Sequence, residues 1–289
     1  MSEQLEQLKR KYKDTPIPDE LDFVVKKAIK QSKKRHGNWK KSLVGVGAAA
    51  IILITGINAS PTFAKALSDV PLVGPLVKVL TFTEFKVDEE TAKADIKVPA
   101  ITNMENKTLE AALNSKYLED SKKLYNDFTA EMEELKKNGG GHVGVESGYE
   151  VKTDNDQILA IGRYVVNTVG SSSTTFKYDT IDKKNQLLIT LPSLFKDDSY
   201  IRLISENIKE QMRQQMKADP DKTYWVDDEV DFESFQSIAK DQSFYINNEG
   251  KLVISFDKYE VAPGSMGVVE FIIPTNEIAD ALVSNEYIK

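Results

Sequence analysis

The feature that most constrains this 289-residue chain is an uncharged apolar stretch near its N-terminus. No charged residue occurs between Lys41 and Lys65, and about 20 apolar residues suffice for an α-helix to cross a bilayer. The stretch has no polar face and no 3.6-residue period, which disfavours a buried core helix. A cleaved secretory signal is disfavoured because 41 residues precede the stretch, whereas whole signals span about 15–30 residues. We predict one transmembrane helix over residues 42–63.

The charge distribution predicts how this helix is oriented. Residues 1–41 carry 12 Lys and Arg against 6 Asp and Glu, a charge of +6, and the remaining residues carry −13. Cationic flanks of a transmembrane helix stay in the cytoplasm, and Trp39 suits the lipid headgroup level. We therefore predict a single-pass protein of the cell membrane, in contact with lipid, with a cytoplasmic N-terminus and an extracytoplasmic C-terminus.

Composition limits the chemistry that the chain can perform. Cysteine is absent, which rules out disulfides and thiolate chemistry, and the two histidines are His36 and His142. The glycines before His142 lack the spacing of a nucleotide-binding loop. The acidic pairs, such as Asp197 with Asp198, fall in predicted loops, where neighbouring acids are usually solvated. We expect no enzyme activity, no metal, no cofactor and no nucleic-acid partner.

The cytoplasmic segment, residues 1–41, is too short to build its own core. After two prolines it carries an apolar stripe at helical spacing, with Asp19 and Glu20 at the positive end of the helix dipole. An amphipathic helix of this kind can dock in the groove of a partner protein, or lie on the anionic inner leaflet. The stripe consists of Leu21, Val24, Val25, Ala28 and Ile29.

A small-residue triplet follows the apolar stretch. Ala64 and Ala66 flank Lys65, and Pro61 favours an extended backbone just before them. Small residues at these spacings fit the narrow subsites of signal peptidase, but they also suit an uncut linker. From the residues alone, both interpretations remain open.

The outer part alternates helices with antiparallel strand patterns, which predicts an α+β fold. The complete prediction is a short cytoplasmic helical segment, one transmembrane helix, and an extracytoplasmic antiparallel sheet packed with helices. A helical pattern of about 30 residues ends near Asn138, and LPSLF at residues 191–195 is predicted as a strand. We divide the outer part into a stalk at 64–95 and two α+β subdomains at 96–190 and 191–289.

One loop of the outer part is predicted to bind a ligand. Pro263, Gly264, Ser265 and Met266 directly follow a predicted strand, and they combine a rigid turn with an adaptable Met side chain. The acidic charge of the outer part would attract a cationic partner. The alternative is an ordinary turn on a surface whose charge serves solubility.

Three stretches of the chain are similar to the anti-sigma-V factor family of Gram-positive bacteria. They are IPDELDFVVKKAI before the anchor, YDTIDKKNQLLITLPSLFKDDSYIRLISENIKEQMRQQM, and KLVISFDKYEVAPGSMGVVEF. The resemblance covers essentially the whole chain. It implies that the cytoplasmic segment sequesters an extracytoplasmic-function sigma factor and that the outer part binds lysozyme.

The resemblance also implies regulated proteolysis by two enzymes. Signal peptidase would cut after Ala66, and an intramembrane protease would then cut within the helix, where glycines weaken it. Sigma-factor contacts would fall on the stripe from Leu21 to Ile29, and lysozyme contacts on the loop from Pro263 to Met266. The helix-weakening glycines are Gly45, Gly47 and Gly56.

One residue departs from the family pattern. Family members can carry an aromatic residue where this chain has Ser265, and an aromatic in a central loop is often a binding hot spot. Two other functions stay open on the sequence: a membrane-anchored protein that binds cell-wall polysaccharide without controlling a sigma factor, and a tethered cell-wall enzyme.

Overall fold

The computed structural model describes residues 77–226 and 234–289. Within these residues no helix is both long enough and apolar enough to span a membrane. The predicted transmembrane helix at 42–63 and the cytoplasmic segment at 1–41 lie outside the described residues. The α+β prediction is confirmed for the part described.

A six-stranded sheet forms the first half of this part, with its strands in chain order. All neighbours are antiparallel except β2 and β3, which are parallel. The edge strand β1 falls within the range assigned to the stalk, and the subdomain boundaries remain a prediction. The strands are β1 (Lys78–Asp88), β2 (Ala92–Thr102), β3 (Val143–Asp154), β4 (Ile158–Val169), β5 (Ser171–Asp182) and β6 (Leu187–Ile189).

The parallel pair requires a long crossover, and the helix α1 (Lys107–Lys137) provides it. The side chain of Asn106 caps α1 by accepting a hydrogen bond from the Leu109 N–H at 3.1 Å. One face of the helix packs on the sheet through residues at helical spacing, as the sequence pattern predicts. These buried apolar residues are Ala112, Leu113, Tyr117, Phe128 and Met132.

Asn114 joins α1 to strand β2 inside this core. The side chain is 1% exposed, its Oδ1 accepts from the Ile101 N–H at 2.7 Å, and its Nδ2 donates to the Ile101 carbonyl at 2.8 Å. Both backbone groups of Ile101 would lack a partner without this amide.

Replacing Asn114 with Ala is therefore expected to lower the free energy of unfolding by about 3 kcal/mol, because each unpaired buried polar group costs about 1–3 kcal/mol. Urea denaturation of the full chain in detergent micelles measures this loss. The matched control, Asn126→Ala on an exposed turn of the same helix, should change the free energy by no more than about 0.5 kcal/mol. Equal losses in the two variants would contradict the assigned role.

A second, three-stranded antiparallel sheet packs with α2 (Ser199–Ala218). The residues of α2 that face this core lie four apart and are fully buried, as expected for an amphipathic helix. The elements are β7 (Phe244–Ile246), β8 (Leu252–Phe256), β9 (Val269–Ile273) and the short α3 (Thr275–Ile278).

The strand prediction for LPSLF is wrong. Leu191–Leu194 forms a single 3₁₀ turn. Pro192 has no N–H to donate to a neighbouring strand. The side chain of Ser193 instead bonds both backbone groups of Thr190: its Oγ donates to the Thr190 carbonyl at 2.6 Å and accepts from the Thr190 N–H at 3.1 Å.

The two sheets meet at the carboxylate of Glu270 on β9. This carboxylate accepts hydrogen bonds from the hydroxyls of Tyr178 and Tyr245, both at 3.0 Å, and pairs with Lys152 Nζ at 3.1 Å. Burial, followed by the charge of Glu270, raises the pKa of Tyr178 and of Tyr245, so both remain hydrogen-bond donors at neutral pH.

Candidate ligand-binding loop

The predicted ligand loop connects β8 to β9 and has a defined conformation. Gly264–Met266 forms a 3₁₀ turn that begins after the extended residue Pro263. Gly267 follows with φ of 67°, a conformation that glycine adopts without steric cost. Ser265 is exposed, whereas the side chain of Met266 packs partly against the core.

An aromatic residue that the sequence interpretation missed lies over this turn. Tyr259 has φ of 70° and is 46% exposed. A Cβ atom on Gly264 would come within 2.3 Å of its ring, so only glycine allows the ring to approach this closely. The ammonium of Lys258 lies 5.1 Å from the ring centroid.

The backbone conformation of Tyr259 is uncommon for a residue with a side chain. Such strain persists only where the surroundings hold the residue in place, and it concentrates at binding sites. Neighbouring groups supply that restraint: the Asp257 N–H donates to Glu260 Oε2 at 2.7 Å, and Gln242 Nε2 donates to Glu260 Oε1 at 3.2 Å. The exposed ring is thus presented on a fixed backbone.

The loop is fastened to the edge of β5. Asp257 Oδ1 accepts from the Phe176 N–H at 2.7 Å, and the Lys258 N–H donates to the Thr174 carbonyl at 3.0 Å. Lys258 Nζ also donates to Ser172 Oγ at 2.9 Å. These contacts bring the loop beside the end of the β4–β5 hairpin, where the serines at 171–173 begin β5.

The structure therefore brings Pro263, Gly264, Ser265 and Met266 together with Tyr259 and the serines at 171–173 at one surface. Tyr259, Ser265 and Ser171 are the exposed members, and Tyr259 and Ser265 can contact a partner protein directly. The only sequence signal for Tyr259 was that a tyrosine lies in a loop straight after a buried strand. This signal is weak, because the position of the Tyr259 ring over Gly264 depends on the tertiary fold.

The other residues that the sequence offered as candidates for catalysis or metal binding are either hydrogen-bonded, ion-paired or exposed to solvent. Asp197 accepts from the Ser199 N–H at 2.9 Å, and hydrogen bonding to Ser199 lowers the pKa of Asp197. Asp198 pairs with Lys240 at 2.7 Å, and His142 is exposed. In residues 77–226 and 234–289, no group of three His, Cys, Asp or Glu side chains could hold a metal ion.

Three predicted sites lie outside the described residues. They are the sigma-factor stripe from Leu21 to Ile29, the helix glycines Gly45, Gly47 and Gly56, and the triplet containing Ala64 and Ala66. These sites stay predictions from the sequence.

Comparison with known proteins gives a full-length match. The anti-sigma-V factor RsiV of Bacillus subtilis strain 168 is 48% identical over 291 residues, covering 100% of both chains. A family model described as a protein of unknown function, DUF3298, matches residues 192–276, and a model described as deacetylase PdaC matches residues 85–167.

Two solved structures share a general likeness with the chain. A crystal structure of a DUF3298 family member from Bacteroides fragilis has 16% sequence identity and a TM-score of 0.47, covering 72% of this chain and 94% of its own. A DUF3298 family protein from Pseudomonas aeruginosa has 11% identity and a TM-score of 0.46, covering 75% of this chain and 98% of its own.

Proposed function

Because the chain belongs to the anti-sigma-V factor family, we propose that it is an anti-sigma factor that holds an extracytoplasmic-function sigma factor at the membrane. Lysozyme binding to the outer part would lead to proteolysis and release the sigma factor. The observation that carries the proposal is the 48% identity along the entire chain, which includes the cytoplasmic segment as well as the outer part.

The proposed sigma-factor site is the stripe from Leu21 to Ile29. A helix with one apolar face and no core of its own gains stability by burying that face in a partner. The sigma factor remains at the membrane as long as residues 42–63 act as an anchor, with the N-terminus in the cytoplasm. The protein acts in this proposal by binding, without an enzymatic step of its own.

The proposed lysozyme site is the loop surface formed by Tyr259 and Ser265. Exposed tyrosines supply large contact areas at low entropic cost and are frequent hot spots. Lysozyme is cationic, and the charge of −13 beyond residue 41 would speed its approach. Cutting after Ala66 by signal peptidase, and then within the helix, would separate the sigma-bound segment from its anchor.

A charge placed in the stripe should abolish sigma-factor capture. With the full chain as bait, Val25→Asp is expected to reduce the recovered sigma factor at least tenfold, because a carboxylate cannot enter an apolar groove without losing its hydration. Immunoprecipitation from cells followed by mass spectrometry measures the recovery. Gln31→Asp adds the same charge beyond the stripe and should leave it unchanged. Unaltered recovery with Val25→Asp, or no sigma factor with the native chain, would refute the assignment.

A second candidate function is binding of cell-wall polysaccharide without sigma-factor control. The match of residues 85–167 to a model described as deacetylase PdaC favours a role for this part of the chain other than sigma-factor control. In that case the native chain would bind purified wall polymer and capture no sigma factor. Measurable turnover of peptidoglycan by the purified chain would favour the tethered enzyme instead.

A further inference from the structure

A cavity of about 290 Å³ lies between α1 and the face of the large sheet that α1 covers. It is separate from the ligand-binding loop, and its walls come from α1, β2, β3, β4 and β5. The volume is at the lower end of ligand-binding pockets, so it suits a small molecule. The lining side chains used below are Lys123, Ser147, Arg163, Asn167, Thr175 and Lys177.

Arg163 is the most buried cation of this cavity, with its side chain 10% exposed. Its Nη1 donates to Asp120 Oδ2 at 3.0 Å, and its Nε lies 3.4 Å from Asp179 Oδ2. The guanidinium stacks on the ring of Tyr117, 4.4 Å from the centroid. Its Nη2 has no hydrogen-bond partner among the described residues, although buried polar groups are nearly always paired.

Lys177 lies directly opposite Arg163 in the β4–β5 pairing. Like charges in directly opposed positions of a sheet destabilise it. The side chain of Lys177 is exposed and forms no ion pair or hydrogen bond with residues 77–226 or 234–289. The arrangement therefore carries an electrostatic cost that a bound anion would remove.

The carboxylates of the cavity do not cancel this positive charge. Asp120 is engaged by Arg163, and Asp127 is paired with Lys123. Asp179, beside Arg163, is paired in turn with Lys116 at 2.9 Å. Four cations against three carboxylates leave an excess of one positive charge at the cavity, on a chain whose total charge is −7. An excess of one suits a monoanion and disfavours a dianion.

We propose that this cavity binds a small ligand through a single carboxylate, held by Arg163 and Lys177. A planar guanidinium matches the geometry of a carboxylate. The rest of the ligand would form hydrogen bonds with polar side chains of the cavity, namely the hydroxyls of Ser147 and Thr175 and the amide of Asn167. On the outer side of a membrane, such a carboxylate could come from an acidic amino sugar or from the end of a short peptide. The site requires neither sigma-factor nor lysozyme binding.

Ligand-observed NMR on the full chain in detergent micelles tests the proposal. The probes are N-acetylmuramic acid for the sugar carboxylate, N-acetyl-D-alanyl-D-alanine for the peptide carboxylate, N-acetylglucosamine as the uncharged analogue, and inorganic phosphate. We expect one of the two carboxylates to bind saturably and to weaken as salt is added, and the uncharged analogue to give no signal. The probe that binds identifies the source of the carboxylate.

Substitutions test the position of the site. Arg163 supports the fold through its ion pairs, so Lys177→Gln is the informative variant; it should raise the Kd about tenfold, because it removes one charge-assisted hydrogen bond. Lys122→Gln removes an equal charge from an exposed position of α1 outside the cavity, and the Kd should stay unchanged. Absence of saturable binding by either carboxylate, equal effects of the two substitutions, or phosphate binding as tightly as the carboxylate would overturn the proposal.

Discussion

Replacing Ala66 with Trp is expected to leave the chain at full length when lysozyme is added to cells. Signal peptidase accepts only small side chains at the two positions that Ala64 and Ala66 would occupy, so an indole cannot enter the subsite. Without the first cut the anchor stays intact, and the sigma factor remains bound. Immunoblotting of the membrane fraction before and after lysozyme, with sequencing of any new N-terminus, measures the outcome.

The matched control is Lys65→Gln, which changes the residue between the two alanines and should leave the cut in place. A fragment of the native size from Ala66→Trp would show that the site is elsewhere. Cleavage of the native chain that is equal with and without lysozyme would remove lysozyme sensing, even if sigma-factor binding persisted.

Replacing Tyr259 with Ala should weaken lysozyme binding by about thirtyfold, the equivalent of about 2 kcal/mol. The substitution removes an exposed aromatic ring and uncovers Gly264, whose turn the ring covers. Titration calorimetry of the full chain with lysozyme measures the Kd. Val283→Ala trims another exposed apolar side chain, 60% exposed, and should leave the Kd unchanged.

A substitution at the neighbouring Ser265 should have the opposite effect on the Kd for lysozyme in the same assay. Ser265→Tyr places an aromatic side chain at an exposed position of the 3₁₀ turn, and it should tighten binding about tenfold. If Tyr259→Ala binds as well as the native chain and Ser265→Tyr brings no gain, lysozyme does not bind at this loop.

The sequence predicted those elements whose pattern repeats over many residues. The apolar positions of α1 and α2 recur at helical spacing, and one face of each helix is buried as expected. The strand prediction for LPSLF at residues 191–195 was wrong because the apolar letters resemble a short strand, while Pro192 and Ser193 close a turn. The parallel pairing of β2 with β3 was not predicted, since periodicity does not reveal which strands become neighbours.

The side chains that share a surface with the candidate loop were not predicted from the sequence. Pro263, Gly264, Ser265 and Met266 do not directly follow a strand as predicted, because β8 ends at Phe256 and the chain turns through residues 257–262 first. Tyr259 was missed because its placement depends on two tertiary facts: the absence of a Cβ atom at Gly264, and the hydrogen bonds that fasten Asp257 and Lys258 to β5.

By itself the sequence determined the uncharged stretch at 42–63, the charge difference across it and the amphipathic helices, because local composition and periodicity express these properties. Only the tertiary structure decided which side chains share a surface. The register of β4 on β5 sets Arg163 opposite Lys177 beneath α1, and a shift by one residue would turn either side chain to the other face of the sheet. Tyr259 reaches Gly264 for a similar reason, since the contact exists only once the loop is bound to the edge of β5.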